Sequence, residues 1–319
     1  MPRNKSVDYH LLLKVSKYYY EKKLTQQEIS EKLSLSRPKV SRLLKQAEDI
    51  GIVKITIIPQ PGIHTDLEDA LENKFNLKEA IVVEVSEPNS QTSVSREVGA
   101  AAADYFSQSV ENPSVIGISW GTTLQAMVDA LRTQDYRNSR IVQLIGGLGK
   151  PESEAHATYI LRRLVEKTGA KLSLLNVPGI VDNTVVKSAF MTDSHVRDVF
   201  DSFSELDIAF VGVGTPTPDS VVMRDGTILT QAELDYLLKK GAAGDICLRF
   251  FNALGEPLNS EIDDRVIGIS FEQLRKVKRV VAVTGGPLKR NAIYAALRGG
   301  LVNVLITDHL SAKRILEIS

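Results

Sequence analysis

The chain has 319 residues, long for one domain and comfortable for two. Its 43% hydrophobic and 24% charged residues are those of an ordinary globular protein, and equal totals of 39 Lys+Arg and 39 Asp+Glu exclude a uniformly basic coat for nucleic acid. The single cysteine, Cys247, excludes an intrachain disulfide and a cysteine-based zinc site, which fits a reducing compartment.

Even total charge hides a division. Residues 1–60 hold 12 Lys+Arg against 6 Asp+Glu, which leaves 27 against 33 for residues 61–319. A basic module on an acidic body points to an anionic partner for the first segment only. The N-terminus is charged and its apolar run is three leucines, too short for a signal peptide or an anchor. No apolar run reaches the ~18 residues of a membrane span. The expectation is a cytoplasmic chain with no membrane partner. The five histidines (His10, His64, His156, His195, His309) show no ligand spacing, so no metal is expected.

Residues 7–23 read as a helix with Leu12, Val15, Tyr18 and Tyr19 on one side. Thr25-Gln26-Gln27-Glu28 has the form of a capping box and opens a second helix that runs to Leu33. Ser36 is placed to cap a third, with Pro38 in its first turn and Gly51 beyond its end. Ile29 and Leu33 would pack on Val40, Leu43, Leu44 and Ala47, with Leu35 in the turn. The other face of the third helix carries Pro38, Lys39, Ser41, Arg42, Lys45 and Gln46. This is a helix-turn-helix pattern, in which the second helix enters the major groove of double-stranded DNA. Arg42 and Lys39 suit guanine edges and Gln46 suits adenine. Ser36, Arg37, Ser41 and Lys45 suit phosphates. The β-branched run after Gly51 reads as a wing strand, and Pro59, Pro61 and Gly62 mark a break. The DNA-binding domain is assigned to 1–60, and the amphipathic segment Thr65–Leu77 makes 61–78 a linker helix.

From Glu79 to the end, apolar strand-length runs (80–85, 115–120, 140–147, 171–179, 207–214, 245–251, 279–286 and 302–308) alternate with helical segments at about 91–109, 122–133, 153–168, 184–202, 230–240, 287–299 and 309–317. Strands apolar on both faces and separated by helices predict an α/β domain over 79–319, a parallel sheet with helices on both faces. The hairpin-like stretch near residue 226 would make part of it antiparallel. Several strands end in glycine-rich turns, "ISWGTTLQAM", "QLIGGLGKPES", "FVGVGTPTPD" and "VTGGPLKRNA". Ligands of parallel sheets sit at such ends. Gly121-Thr122-Thr123 offers hydroxyls at a helix start, Lys289 a positive charge, and Asp245 an acceptor for sugar hydroxyls. Asp182-Asn183 either lines the site or caps the next helix.

The ordered set "LTQQEISEKLSLSRPKVSRLLKQAEDIGIVKI", "GISWGTT", "QLIGGLG", "VPGIVD", "VGVGTP", "GAAGDICLRFFNALGEP", "DDRVIGIS" and "VAVTGGPLKRNAIYAALRGGLVNVLITD" resembles the SorC family of bacterial sugar-responsive transcriptional regulators over the full length. The resemblance implies an effector domain similar to the sugar-phosphate isomerase and glucosamine-phosphate deaminase fold, a sugar, polyol or sugar-phosphate effector, and a tetramer, or dimer of dimers, bound to operator DNA. No catalytic residues and no further cofactor are expected. It assigns the effector contacts to Gly121, Thr122, Thr123, Gly146, Gly147, Asp245 and Lys289, with Arg224 in addition. Some relatives carry Lys or Arg where this chain has Ile145, which removes a partner for a phosphate. The alternative is a sugar-phosphate isomerase or deaminase, for which Asp182, Asp245 and Asp308 are the candidate carboxylates, although no histidine or second carboxylate completes a catalytic set with them.

Overall fold

The computed structural model describes residues 8–56, 60, 62–147, 151–218, 220, 223 and 228–318, with residues 151–157 described by their backbone. The chain divides into two compact units, Met1–Pro59 and Gln60–Ser319.

In the first unit, helix α1 (Tyr9–Ser16) runs into a π-helical turn, Lys17–Glu21. Helix α2 (Gln26–Leu33) starts at the expected capping box: Thr25 accepts from the Glu28 N–H while Glu28 accepts from the Thr25 N–H at 2.7 Å. Ser34, in the left-handed conformation, ends it. Ser30 ties down the turn, its carbonyl accepting from the Leu35 N–H and its hydroxyl donating to the Leu35 carbonyl. Helix α3 (Arg37–Asp49) follows with Pro38 in its first turn. Ser36 is its N-cap, but the Ser36 side chain makes no capping hydrogen bond, contrary to expectation. Val15, Ile29, Val40 and Leu44 form the small core. The Tyr20 hydroxyl donates to Glu48 at 2.5 Å, which pushes its pKa up to about 12 and fastens the π-helical turn to α3. Residues 52–56 carry no strand, and the rest of the expected wing, 57–59, lies outside the described residues.

The second unit is built on seven parallel strands: β1 (Glu79–Val83), β2 (Val115–Ile118), β3 (Arg140–Gln143), β4 (Lys171–Ser173), β5 (Ile208–Val211), β8 (Arg279–Val283) and β9 (Val304–Asp308). Their order is β1-β9-β8-β5-β2-β3-β4. Alternate residues of one strand bury opposite faces. Ile208 and Phe210 enter one core with Val281, Val283, Val304 and Ile306, while Ala209 and Val211 enter the other with Val280, Ala282 and Leu305. That two-sided burial explains the continuous apolar runs.

Helix α4 (Thr65–Phe75) belongs to this unit. Its Glu72 and Glu68 accept from the edge N–H groups of Ala80 and Val82, at 2.8 and 2.9 Å, so the β1 edge has no unpaired donors at these positions. Helices α5 (Gln91–Ser109) and α6 (Thr122–Ala130) cross closely at Gly99, where a Cβ would lie 2.6 Å from that of Ala126. Helix α7 spans Pro151–Thr168.

Two expectations need correction. The helix expected over 184–202 is two, α8 (Thr184–Thr192) and α9 (Ser194–Ser202). Asp193 between them is extended, and its carboxylate caps α9 by accepting from His195 and Val196 N–H. The strand expected over 245–251 is a hairpin of β6 (Ala242–Ile246) and β7 (Arg249–Asn252), separate from the main sheet. Cys247 and Leu248 form its two-residue turn, both with positive φ (54° and 59°). This hairpin is an antiparallel strand pair, while residues 221, 222 and 224–227 of the stretch around residue 226 lie outside the described residues. Helix α10 (Gln231–Lys239) precedes the hairpin, and α11 (Phe271–Lys276), α12 (Arg290–Arg298) and α13 (His309–Leu316) complete the unit.

Leu44 is one of the four buried residues of the first unit's core cluster. Leu44→Ala is expected to destabilise that unit by about 2–5 kcal/mol. Denaturant unfolding of the full chain would then show an early transition of the first unit, with the second unit's transition unmoved.

Candidate functional site

A cleft of about 550 Å³ opens where the strand order reverses, outside the C-terminal ends of β2, β5 and β8. β2 passes its chain outward to β3 and β4, whereas β5, β8 and β9 build the other way. Loops diverge at such a point and leave a crevice. The cleft is lined from β2 by Ser119, Trp120, Gly121, Thr122 and Thr123, and from β5 by residues 212–215, Thr217 and Ser220. Asp245, Cys247 and Leu248 of the hairpin and Leu288 and Lys289 after β8 close it, with Gln91 and Ser95 of α5.

Gly121 is the N-cap of α6 at φ 150°, a backbone that side chains disfavour, although a Cβ there would meet nothing. No side chain caps α6, so its positive end faces the cleft beside Thr122. Thr123 is buried and its hydroxyl donates to Ser95 at 3.3 Å. Trp120 Nε1 and Ser220 Oγ, both on the lining, are buried without a hydrogen-bond partner among the described residues. Buried polar groups are normally paired, so these two donors stand out on the lining.

Asp245 forms the floor. It is 6% exposed, and its main chain exchanges hydrogen bonds with Gly214 at 2.9 and 3.2 Å. A Cβ on Gly214 would sit on the Asp245 carboxylate, 3.0 Å from Cγ, so only glycine fits there. Burial pushes the Asp245 pKa up to about 6, against the Leu248 N–H and the positive charge of Lys289. Burial also lowers the Lys289 pKa, opposed by Asp245. Cys247 is pushed up to about 12, by burial and then by Asp245, and is an unreactive thiol at neutral pH.

Gly121, Thr122, Thr123, Asp245 and Lys289 thus come together as expected from their positions. Gly146 and Gly147 do not. The Gly146 N–H donates to Ile267 and the Gly147 N–H to Val177, and a Cβ on Gly146 would lie 2.7 Å from the Pro178 carbonyl carbon. Gly146 lets main chains cross, and neither glycine lines the cleft. Ile145 is fully buried in the core. Arg224 lies outside the described residues. Of the carboxylates considered for catalysis, only Asp245 lines the cleft. Asp308 caps α13 and accepts from the Gly286 N–H at 2.8 Å, Asp182 lies in a separate recess, and Asn183 caps α8. Trp120, Ser220 and Leu288 were not anticipated. Their positions next to the glycine turns were the available signal.

On α3, Ser36, Arg37, Lys39, Ser41, Arg42 and Lys45 are exposed and Gln46 is half-buried, while Val40, Leu44 and Ala47 face inward. Arg42 Nε donates to the Pro38 carbonyl at 3.3 Å, which lays the side chain along the exposed face.

Residues 61–317 match the family described as "Putative sugar-binding domain", and residues 20–54 match a winged helix-turn-helix DNA-binding family. The chain belongs to the SorC family of sugar-binding transcriptional regulators. It is 32% identical over 307 residues to the deoxyribonucleoside regulator of Bacillus subtilis, covering 96% of this chain and 97% of that one. It is 30% identical to the sorbitol operon regulator of Klebsiella pneumoniae over 320 residues, with 98% and 99% covered. The crystal structure of full-length SorC from Klebsiella pneumoniae superposes with a TM-score of 0.74 at 30% identity, over 98% of this chain and 100% of that one. These SorC-family relatives are regulators, not enzymes.

Folding raises the Asp245 pKa, so the folded state binds its proton more tightly than the unfolded chain does. The resulting penalty is absent below the ordinary carboxylate pKa, grows as pH rises from there, and is complete above about pH 6. Asp245→Asn is therefore expected to be more stable than the parent at pH 7, by up to about 3 kcal/mol. The difference between the two melting curves should vanish near pH 4.

Proposed function

We propose that this chain regulates transcription of a carbohydrate-utilisation operon, binding operator DNA through α3 under the control of a sugar, polyol or sugar phosphate held in the cleft. The carrying observation is the pairing, on one chain, of an exposed basic recognition helix with a cleft that offers hydroxyls, the donors of Trp120 and Ser220, a buried carboxylate and one lysine.

In this reading Lys39 and Arg42 donate to guanine O6 and N7, and Gln46 pairs with adenine. Ser36, Arg37, Ser41 and Lys45 fix the helix on phosphates. In the cleft, Asp245 accepts from ligand hydroxyls, while Trp120, Ser220, Thr122 and the start of α6 donate to ligand oxygens. Lys289 holds the most negative group. No further cofactor is needed. A two-fold operator requires two copies of α3, so the protein acts in the cytoplasm as a dimer or as a tetramer of paired dimers. Effector binding shifts the population between subunit arrangements that space the recognition helices differently.

Selection of bound duplexes from a random pool is expected to yield a two-fold symmetric motif. Arg42→Ala should weaken binding to it by about 1–3 kcal/mol and relax one position per half-site. Binding that is only salt-sensitive and blind to sequence would sink the reading. Sugars, polyols and their phosphates can then be screened for a change in occupancy of that duplex. Lys289→Met should weaken a phosphorylated effector by about 1.5–3 kcal/mol and an uncharged one by less, measured by calorimetry.

A further inference from the structure

The topology gathers a second set of ligand-type side chains at the β1 edge of the sheet, away from the cleft. Among the described residues, His64, Glu84 and His309 are the three that converge. β1 and β9 are parallel neighbours with Val83 opposite Asp308, so the next residues, Glu84 and His309, lie side by side. Ile63 bridges to Val83 and brings His64 over the same corner, just before α4. His64 Nε2 lies 2.5 Å from Glu84 Oε2, and His309 Nε2 lies 3.7 Å from Glu84 Oε1. The two rings are within 16° of parallel, with centroids 5.4 Å apart. One ligand atom from each residue falls within 4.8 Å of the others. Two imidazoles that point Nε2 at one tetrahedral ion, at about 2.0–2.1 Å, have ring centroids roughly 5 Å apart. The centroid spacing matches that arrangement, and turning the stacked rings brings both in-plane lone pairs onto one ion.

We propose that His64, Glu84 and His309 form a binding site for a divalent transition-metal ion of the zinc class. Two imidazole nitrogens and one carboxylate suit zinc, cobalt or nickel, whereas calcium and magnesium require oxygen ligands throughout. The side chains of His64 and His309 are only 18% and 10% exposed, which holds the rings in place. Glu84 is 51% exposed, so an ion reaches the site from solvent, and a water completes four-coordination.

The tautomer of His309 changes on loading. Its Nδ1 accepts from the Val85 N–H at 3.3 Å, so the neutral ring carries its proton on Nε2, toward Glu84. An ion takes the Nε2 lone pair. The Nε2 proton leaves to solvent and Nδ1 takes one up, with no net change on the ring. The Val85 N–H then loses a long hydrogen bond, against three metal–ligand bonds gained. The bound ion fastens the residues around Ile63 and His64 to the ends of β1 and β9.

The test uses the full chain, stripped with a chelator and titrated with Co(II), followed by visible absorption and by calorimetry with Zn(II). One ion per chain is expected, with the intense visible bands of four-coordinate cobalt, a rise in melting temperature, and a shift of the Val85 amide resonance. His64→Ala and Glu84→Gln lie on partly exposed side chains, and an unchanged melt of the stripped variants shows that they fold. Each should weaken binding by more than the about 10–100-fold that loss of a partner behind a ligand brings. Failure to bind, or affinity left unchanged by either substitution, overturns the proposal. Because the site is separate from the cleft, effector binding and its failure are scored independently.

Discussion

The floor of the cleft rests on a carboxylate packed against bare backbone. Asp245 lies over Gly214, exchanges main-chain hydrogen bonds with it, and accepts from the N–H of Leu248 in a turn where Cys247 and Leu248 both take positive φ. The β6–β7 hairpin is outside the main sheet, and this contact joins it to the end of β5. Without it the crevice at the switch point would lack one wall. The charge is expensive to bury, as the raised pKa records, and a buried acceptor with a lysine nearby is a reason for a protein to tolerate that expense at a binding site.

Around this floor the parallel sheet does the positioning. Its strands are buried on both faces, so they offer nothing to a ligand except at their ends. The ends of β2, β5 and β8 meet where the order reverses, and the start of α6, hydroxyls and the donors of Trp120 and Ser220 converge there. The same strand-end logic operates at the sheet edge, where β1 and β9 deliver Glu84 and His309 to one corner. In the first unit a four-residue core is enough to orient α3, because a capping box and the Ser30–Leu35 turn fix the angle between α2 and α3.

Much of this was legible in the residues. Capping boxes, apolar periods and glycine turns are local, and the helix over 91–109 and the helix-turn-helix were readable from them. The hairpin was not, since its turn uses Cys-Leu instead of an Asn-Gly pair and its strands are as apolar as a parallel strand. The break at Asp193 was hidden because the helical period continues through it. The family resemblance assigns Gly146 and Gly147 to the ligand, and at Gly146 the letter alone does not distinguish a glycine that admits a phosphate from one that admits a neighbouring main chain.

The sequence by itself determined the two-unit plan, the basic recognition helix, the two-faced parallel strands and the glycine-hydroxyl start of α6. Each follows from the periodicity or chemistry of neighbouring residues. Only the tertiary structure decided which strand ends meet. It brought Asp245 to Gly214, set Trp120 and Ser220 on the cleft lining, left Gly146 and Gly147 out of it, and joined His64 to His309 across 245 positions of chain. Those contacts depend on strand order, and strand order is fixed by packing between segments far apart in the chain, for which no local spacing carries a signal.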